Sequence, residues 1–169
     1  MTDNHDYKRF VALNLDRDAL GLKLDNENAA YFCTPVGAQI IGWLGVDGIH
    51  FCFIPSISDN MVFAVSPMPC GTHYVEPVAG SFLDFLSLIL FCKDAGFLEG
   101  ISYTDENHFY QLVQAEEDAG YLAREDALDT LRLEFGMDAH INAYQYVKRL
   151  QADFDYTTIP FSDAYYEAV

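Results

Sequence analysis

Basic residues are scarce in this chain. It holds nine Lys plus Arg against 26 Asp plus Glu in 169 residues, a formal net charge of −17, and none of the nine lies between Ala29 and Cys92. A sequence with that balance and a pI near 4.3 presents no extended positive field. Sequence-independent binding to DNA, RNA or an anionic membrane is therefore excluded, while a basic partner is admitted. Long apolar runs are also missing: the longest, Phe82–Cys92, has 11 residues and contains Asp84, short of the roughly 18 to 20 needed to cross a bilayer. The segment Met1–Phe10 mixes Asp3, His5, Asp6, Lys8 and Arg9 with no apolar stretch behind them, so it does not read as a secretory signal. Four cysteines, Cys33, Cys52, Cys70 and Cys92, are too few to staple a domain of this size. They read as reduced thiols in a cytoplasmic protein. No repeat, proline-rich linker or low-complexity tract divides the chain, which reads as one domain over 1–169.

What is present is enough for a core. At 51% hydrophobic and 15% aromatic, the composition can offset chain entropy and does not belong to a disordered acidic tail. Charge is uneven along it: 4 basic and 6 acidic residues in 1–28, 0 and 4 in 29–92, and 5 and 16 in 93–169. An N-terminal segment (1–28) precedes a mainly β region (29–80) and a mainly α region (81–169).

Ala30–Thr34 is a short β-prone run closed by Pro35 and Gly37, and Gln39–Val46 a longer one. Asp47-Gly48 separates it from Ile49–Ile54, and Asp-Gly between apolar runs signals a hairpin because both turn positions need positive φ. Ser56–Asn60 reads as a turn and Met61–Ser66 as the next strand of an antiparallel meander. Tyr74–Val78 adds a further strand that Pro77 confines to an edge. The strands are apolar at nearly every position, which predicts cover on both faces. Ser81 and Asp84 then form a capping box ahead of the stripe Phe82, Phe85, Leu86, Ile89 and Leu90. Asp94–Gly100 is a short helix or turn. Thr104 caps a helix with Phe109, Leu112 and Val113 inward and Gly120 as its stop. Ala127, Leu128, Leu131 and Phe135 mark another before Gly136. Asn142 and Gln145 form a cap pair, with an Ile141–Tyr146 staple, for a helix through Val147, Leu150 and Phe154. Strands followed by helices give an α+β fold, an antiparallel meander sheet packed by several helices.

The run Gly42-Trp43-Leu44-Gly45-Val46-Asp47-Gly48-Ile49-His50-Phe51-Cys52-Phe53, then Met61-Val62-Phe63-Ala64-Val65, then Val78-Ala79-Gly80-Ser81-Phe82-Leu83-Asp84-Phe85-Leu86 resembles the SUKH superfamily of bacterial toxin-immunity proteins and fungal cell-wall regulators. The resemblance spans about Ala29 to Cys92. It implies an α+β domain that works by binding another protein, such as a basic toxin it neutralises, with no catalytic residues or cofactor to carry over.

Chemistry-bearing residues offer a rival reading. His50-x-Cys52 and Cys70-x-x-His73 supply two imidazoles and two thiols, the ligand types of a tetrahedral zinc site, and Cys70 with His73 has the composition of a thiolate and its base. A small metal- or thiol-dependent enzyme, or a metal-binding domain, would use these four; packed core and loop residues is the plainer reading, and no metal site is assigned. Gly42, Gly45 and Gly48 lie on strands and a hairpin, outside the strand-then-helix context of a phosphate loop. Trp43, the sole tryptophan, reads as core. Among the carboxylates, Glu116, Glu117, Glu125 and Asp126 crowd the helices after the sheet, either as a solvated face or as a partner-binding surface that steers a basic protein. Glu116 and Glu117, near a helix C-terminus, show no local stabilising role. A regulatory or structural interaction protein with another partner is the remaining alternative.

Overall fold

The computed structural model describes residues 4–24, 30–119 and 122–169, with the side chains of 118 and 119 left aside. Helix α1 (His5–Ala12) precedes four strands, β1 (Gln39–Trp43), β2 (His50–Ile54), β3 (Ser58–Val65) and β4 (Val75–Ala79). Helices α2 (Phe82–Cys92), α3 (Gly96–Gly100), α4 (Glu106–Ala119), α5 (Leu122–Phe135), α6 (Ala143–Asp153) and α7 (Asp163–Ala168) follow, with 3₁₀ turns at Asp18–Leu20 and Tyr156–Thr158. The described strands pair antiparallel in the order β1-β2-β3-β4. The fold is α+β.

Period-two alternation sorts the strand residues onto two faces. Phe51, Phe53, Val62, Ala64 and Val78 join the core under the helices, with Phe82, Phe85, Leu86 and Ile89 of α2. Cys52, Ile54, Phe63, Val65 and Val75 face the other way. That second face is covered by a strap, residues 154–165, through Phe154, Tyr156, Ile159, Phe161 and Tyr165. Val36 N–H donates to the Pro160 carbonyl at 2.7 Å and ties the strap to the turn before β1. Both faces are thus covered, as the apolar strands predict, although the sequence pattern does not identify the strap as the second cover.

The hairpin signal holds. Ile49 N–H donates to Val46 C=O at 3.0 Å, and Asp47 and Gly48 take φ of 50° and 69° between them. Ser81 caps α2, its hydroxyl oxygen accepting from Asp84 N–H at 3.0 Å, while the Asp84 carboxylate accepts from Tyr146 Oη at 2.9 Å and draws α6 onto the start of α2. Pro77 sits on β4, at one end of the strand order.

Several local expectations are corrected. Ala30–Thr34 is a turn: Thr34 N–H donates to Tyr31 C=O at 2.9 Å, and Tyr31 N–H donates to Thr34 Oγ1 at 3.0 Å. A threonine that captures the backbone in this way competes with a ladder. Strand β3 starts at Ser58, because the turn closes at Ile57 N–H to Ile54 C=O, 2.8 Å. Asp105 caps α4, accepting from His108 N–H at 3.0 Å, and the Thr104 carbonyl serves the Tyr144 hydroxyl at 2.7 Å instead. Leu112 is partly exposed, while Phe109 and Val113 are buried. Gly120 lies outside the described residues. Asn142 stands at the N-cap of α6 without a side-chain cap bond, and Gln145 Nε2 donates to Glu106 at 2.9 Å. Ile141 is exposed and forms no staple. Among the described residues no helix is long and apolar enough to cross a membrane.

Candidate functional site

The four residues of the metal or thiol reading are not assembled. His50 and Cys52 share a face of β2, as their i, i+2 spacing requires, and both are fully buried. His50 Nδ1 lies 2.9 Å from the Gly48 carbonyl, so Nδ1 carries the proton. Nε2, 3.2 Å from Thr34 Oγ1, then accepts the threonine hydroxyl. Burial holds the imidazole below its ordinary pKa, opposed by the bond to Gly48. His50 is a neutral strut under the hairpin. Cys70 is exposed in the β3–β4 loop, and His73 stacks flat on the Tyr156 ring at 3.8 Å between centroids. Among the described residues, no group of three or more His, Cys, Asp and Glu is placed to hold a metal ion. All four cysteines are free; burial pushes the Cys33 thiol to about 11 and Cys52 to about 12 and raises Cys92 as well, so these three are not thiolates at neutral pH.

The acidic residues divide into two groups. Glu116 is engaged: Arg124 Nη1 pairs with Glu116 Oε1, Nη2 reaches Asp94 at 3.2 Å, and Nε donates to the Ala19 carbonyl at 2.9 Å. Arg124 therefore clamps α4, α5, the α2–α3 link and the turn at Asp18–Leu20. Glu117 lies 3.9 Å from Lys93 Nζ. The expectation that Glu116 and Glu117 lack a local role is corrected, because a cation from another element neutralises each. Glu125 is half-buried, and Asp126 is exposed. Along α5, Leu122, Asp126, Asp129 and Leu133 form one stripe at i, i+4, i+7 and i+11, opposite the buried Ala127, Leu128 and Leu131. Leu122 and Leu133 are 86% and 83% exposed, so this helix presents apolar side chains outward at both ends of a carboxylate pair. Asp129 pairs with Arg132 at 2.6 Å. Between α3 and α4 a cleft of about 390 Å³ is lined by Asp94, Phe97, Tyr103, His108, Leu112 and Glu116.

A second cluster was not anticipated. Glu99, at the end of α3, is buried to 8% exposure and accepts the Tyr103 hydroxyl at 2.9 Å and a bond from Ser66. Glu76 on β4 accepts the Tyr156 hydroxyl from the strap. Burial lifts both carboxyls above their ordinary range. For Glu76 the Tyr156 hydroxyl, His73 and Lys148 oppose the shift, and Glu99 adds to it; for Glu99 Tyr103 and Ser66 oppose it, and Asp47 adds to it. Glu76 binds a tyrosine of the strap, and Glu99 binds the tyrosine one turn after it and Ser66 of the β3–β4 loop, so together they fasten that loop, α3 and the strap at one corner. The available signal was a glutamate inside an apolar run, Val75-Glu76-Pro77-Val78 and Leu98-Glu99-Gly100.

This corner has a pH consequence. Because the folded chain holds the Glu99 proton more tightly than the unfolded chain, stability is greatest below the ordinary value of 4.5 and is lost as pH rises through the folded value. Glu99→Gln should therefore stabilise the protein at pH 7. Thermal melts from pH 4 to 8 should show the gain vanish at the acid end. An equal gain at every pH would refute the linkage.

Two buried side-chain donors are left over among the described residues, the Trp43 indole N–H and Gln151 Nε2. Trp43 is 8% exposed, and its indole N–H has no hydrogen-bond partner, a state that costs about 1–3 kcal/mol. No family model, curated protein or solved structure matches the chain.

Proposed function

We propose that this chain is a non-enzymatic protein-binding module of the SUKH type that acts in the cytoplasm, neutralising a basic toxin by direct contact through its acidic helical side. The observation that carries this reading is the outer stripe of α5, where Leu122 and Leu133 flank Asp126 and Asp129 on a helix already satisfied on its inner face. Exposed carboxylates steer a basic protein into encounter, and apolar side chains beside them provide area to desolvate on contact. The uneven charge supports it: the chain carries 16 acidic against 5 basic residues after Cys92, whereas the covered sheet lies within a stretch that has no basic residue.

Of the four residues read as the binding set, Asp126 is exposed on the outer stripe of α5, Glu125 beside it is half-buried, and Glu117 on α4 faces Lys93. Glu116 serves the fold through Arg124. Reversal of Asp126 to Lys should slow association with a basic nuclease-toxin domain at physiological salt and leave the melting temperature nearly unchanged. Glu116→Lys should instead lower the melting temperature. Stopped-flow association across ionic strength tests the proposal, and a salt-independent on-rate for a verified complex would remove steering from it.

A further inference from the structure

The cleft between α3 and α4 encloses about 390 Å³, a volume within the range of ligand sites. Its lining includes Asp94 and Glu116 and contains no Lys or Arg. Arg124, which bridges the two carboxylates, is not part of that lining and is the most deeply buried of the three, its side chain 14% exposed against 24% for Asp94 and 25% for Glu116. Two carboxylates share one guanidinium, so the cluster keeps one negative charge in excess and presents it to the cleft.

Apolar and aromatic groups make up much of the remaining wall. Phe97 packs against the core, and the Tyr103 hydroxyl is anchored on Glu99 at 2.9 Å, so both rings are held in place before anything enters. Leu112 lines the cleft one turn before Glu116 on α4. Gly100, at the end of α3, leaves part of the space open. A Cβ built there would lie 3.7 Å from its nearest neighbour, an ordinary contact, and Gly100 is not among the residues of positive φ. Glycine in a helix costs stability; the fold gains nothing from the missing side chain, whereas the cleft gains room.

We infer that this cleft receives an arginine side chain of the basic partner, an assignment that rests on the protein-binding reading and names one contact within it. The planar guanidinium stacks on an aromatic ring of the wall while its N–H groups meet the carboxylates of Asp94 and Glu116. A lysine ammonium brings the charge without the plane, and arginine is among the residues that most often anchor protein interfaces. The outer carboxylates of α5 speed approach, and the cleft slows departure.

N-acetyl-arginine amide tests the cleft without the partner. Titrated at constant ionic strength, it should shift the backbone amide signals of Gly96, Gly100 and Leu112 along one saturating curve, and the citrulline analogue, of the same length and without charge, should bind about fivefold more weakly or worse. Leu112→Lys, an exposed substitution that puts the chain's own cation one turn from Glu116, should weaken arginine to a similar degree without lowering the melting temperature. Leu112→Gln and Asp126→Lys, the latter on α5 outside the cleft, should leave arginine binding nearly unchanged. Equal binding of arginine and citrulline, indifference of arginine to Leu112→Lys, or an equal loss with Asp126→Lys would each overturn the assignment. Salt-dependent association with a basic nuclease domain that persists through any of these failures keeps the protein-binding reading, so the two fail separately.

Discussion

Gly48→Val should cost the fold about 3 kcal/mol or more, well beyond the roughly 1 kcal/mol of an ordinary substitution. Two independent effects combine at this position. The backbone holds φ at +69°, a region that β-branched residues enter only with strain. A Cβ placed there would also lie 2.4 Å from Tyr31 Cζ and 2.6 Å from its hydroxyl oxygen. Tyr31 cannot withdraw without loss, because its ring stacks on His50 at 6.2 Å and meets Trp43 at 6.0 Å. Gly37 separates the two effects: its φ is +76°, yet nothing lies within 4 Å of an added Cβ. Gly37→Ala should cost about 1 kcal/mol, the conformational part alone, and Gly48→Ala at least twice that. Urea unfolding of the three variants checks the order. Equal losses at Gly37 and Gly48 would show that Tyr31 yields freely.

The strap should matter as much. Ile159 is 6% exposed against a cluster that includes Cys33, Cys52, Ile54, Phe63, Val65 and Val75. Ile159→Ala should lose about 2–4 kcal/mol through the removed contacts and the cavity left behind. A chain ending at Asp155 uncovers all of that face except the part under Phe154 and also removes the Tyr156 hydroxyl from Glu76. It should bind a hydrophobic dye strongly and melt without cooperativity. A cooperative melt within a few degrees of the intact protein would mean that the helices alone hold the sheet.

Much of the architecture is legible because its signals are local. Asp47-Gly48 supplies its own positive φ, Ser81 its own cap, and Pro77 its own edge position. The second cover is not local. Residues 154–165 carry no helical or strand periodicity, and their aromatic side chains acquire meaning only against β2 and β3. The acidic set shows the same limit. Glu116 and Asp126 are alike in sequence, and only the approach of Arg124 from α5 makes one a buttress and leaves the other outward. Glu76 and Glu99 depend on tyrosines that lie 80 and 4 residues away, and the longer of those separations has no reading short of the fold.

Because strand order equals chain order, the sheet can zip up as the ribosome delivers it, each strand meeting the one just made. Its second cover arrives late: residues 154–165 emerge about 75 to 86 residues after β4 ends at Ala79, roughly 4 to 17 s at ordinary elongation rates. During that interval Cys52, Ile54, Phe63, Val65 and Val75 form a bare apolar face on a nascent chain. That exposed surface is where the growing chain is most prone to associate with others, until the strap closes over it.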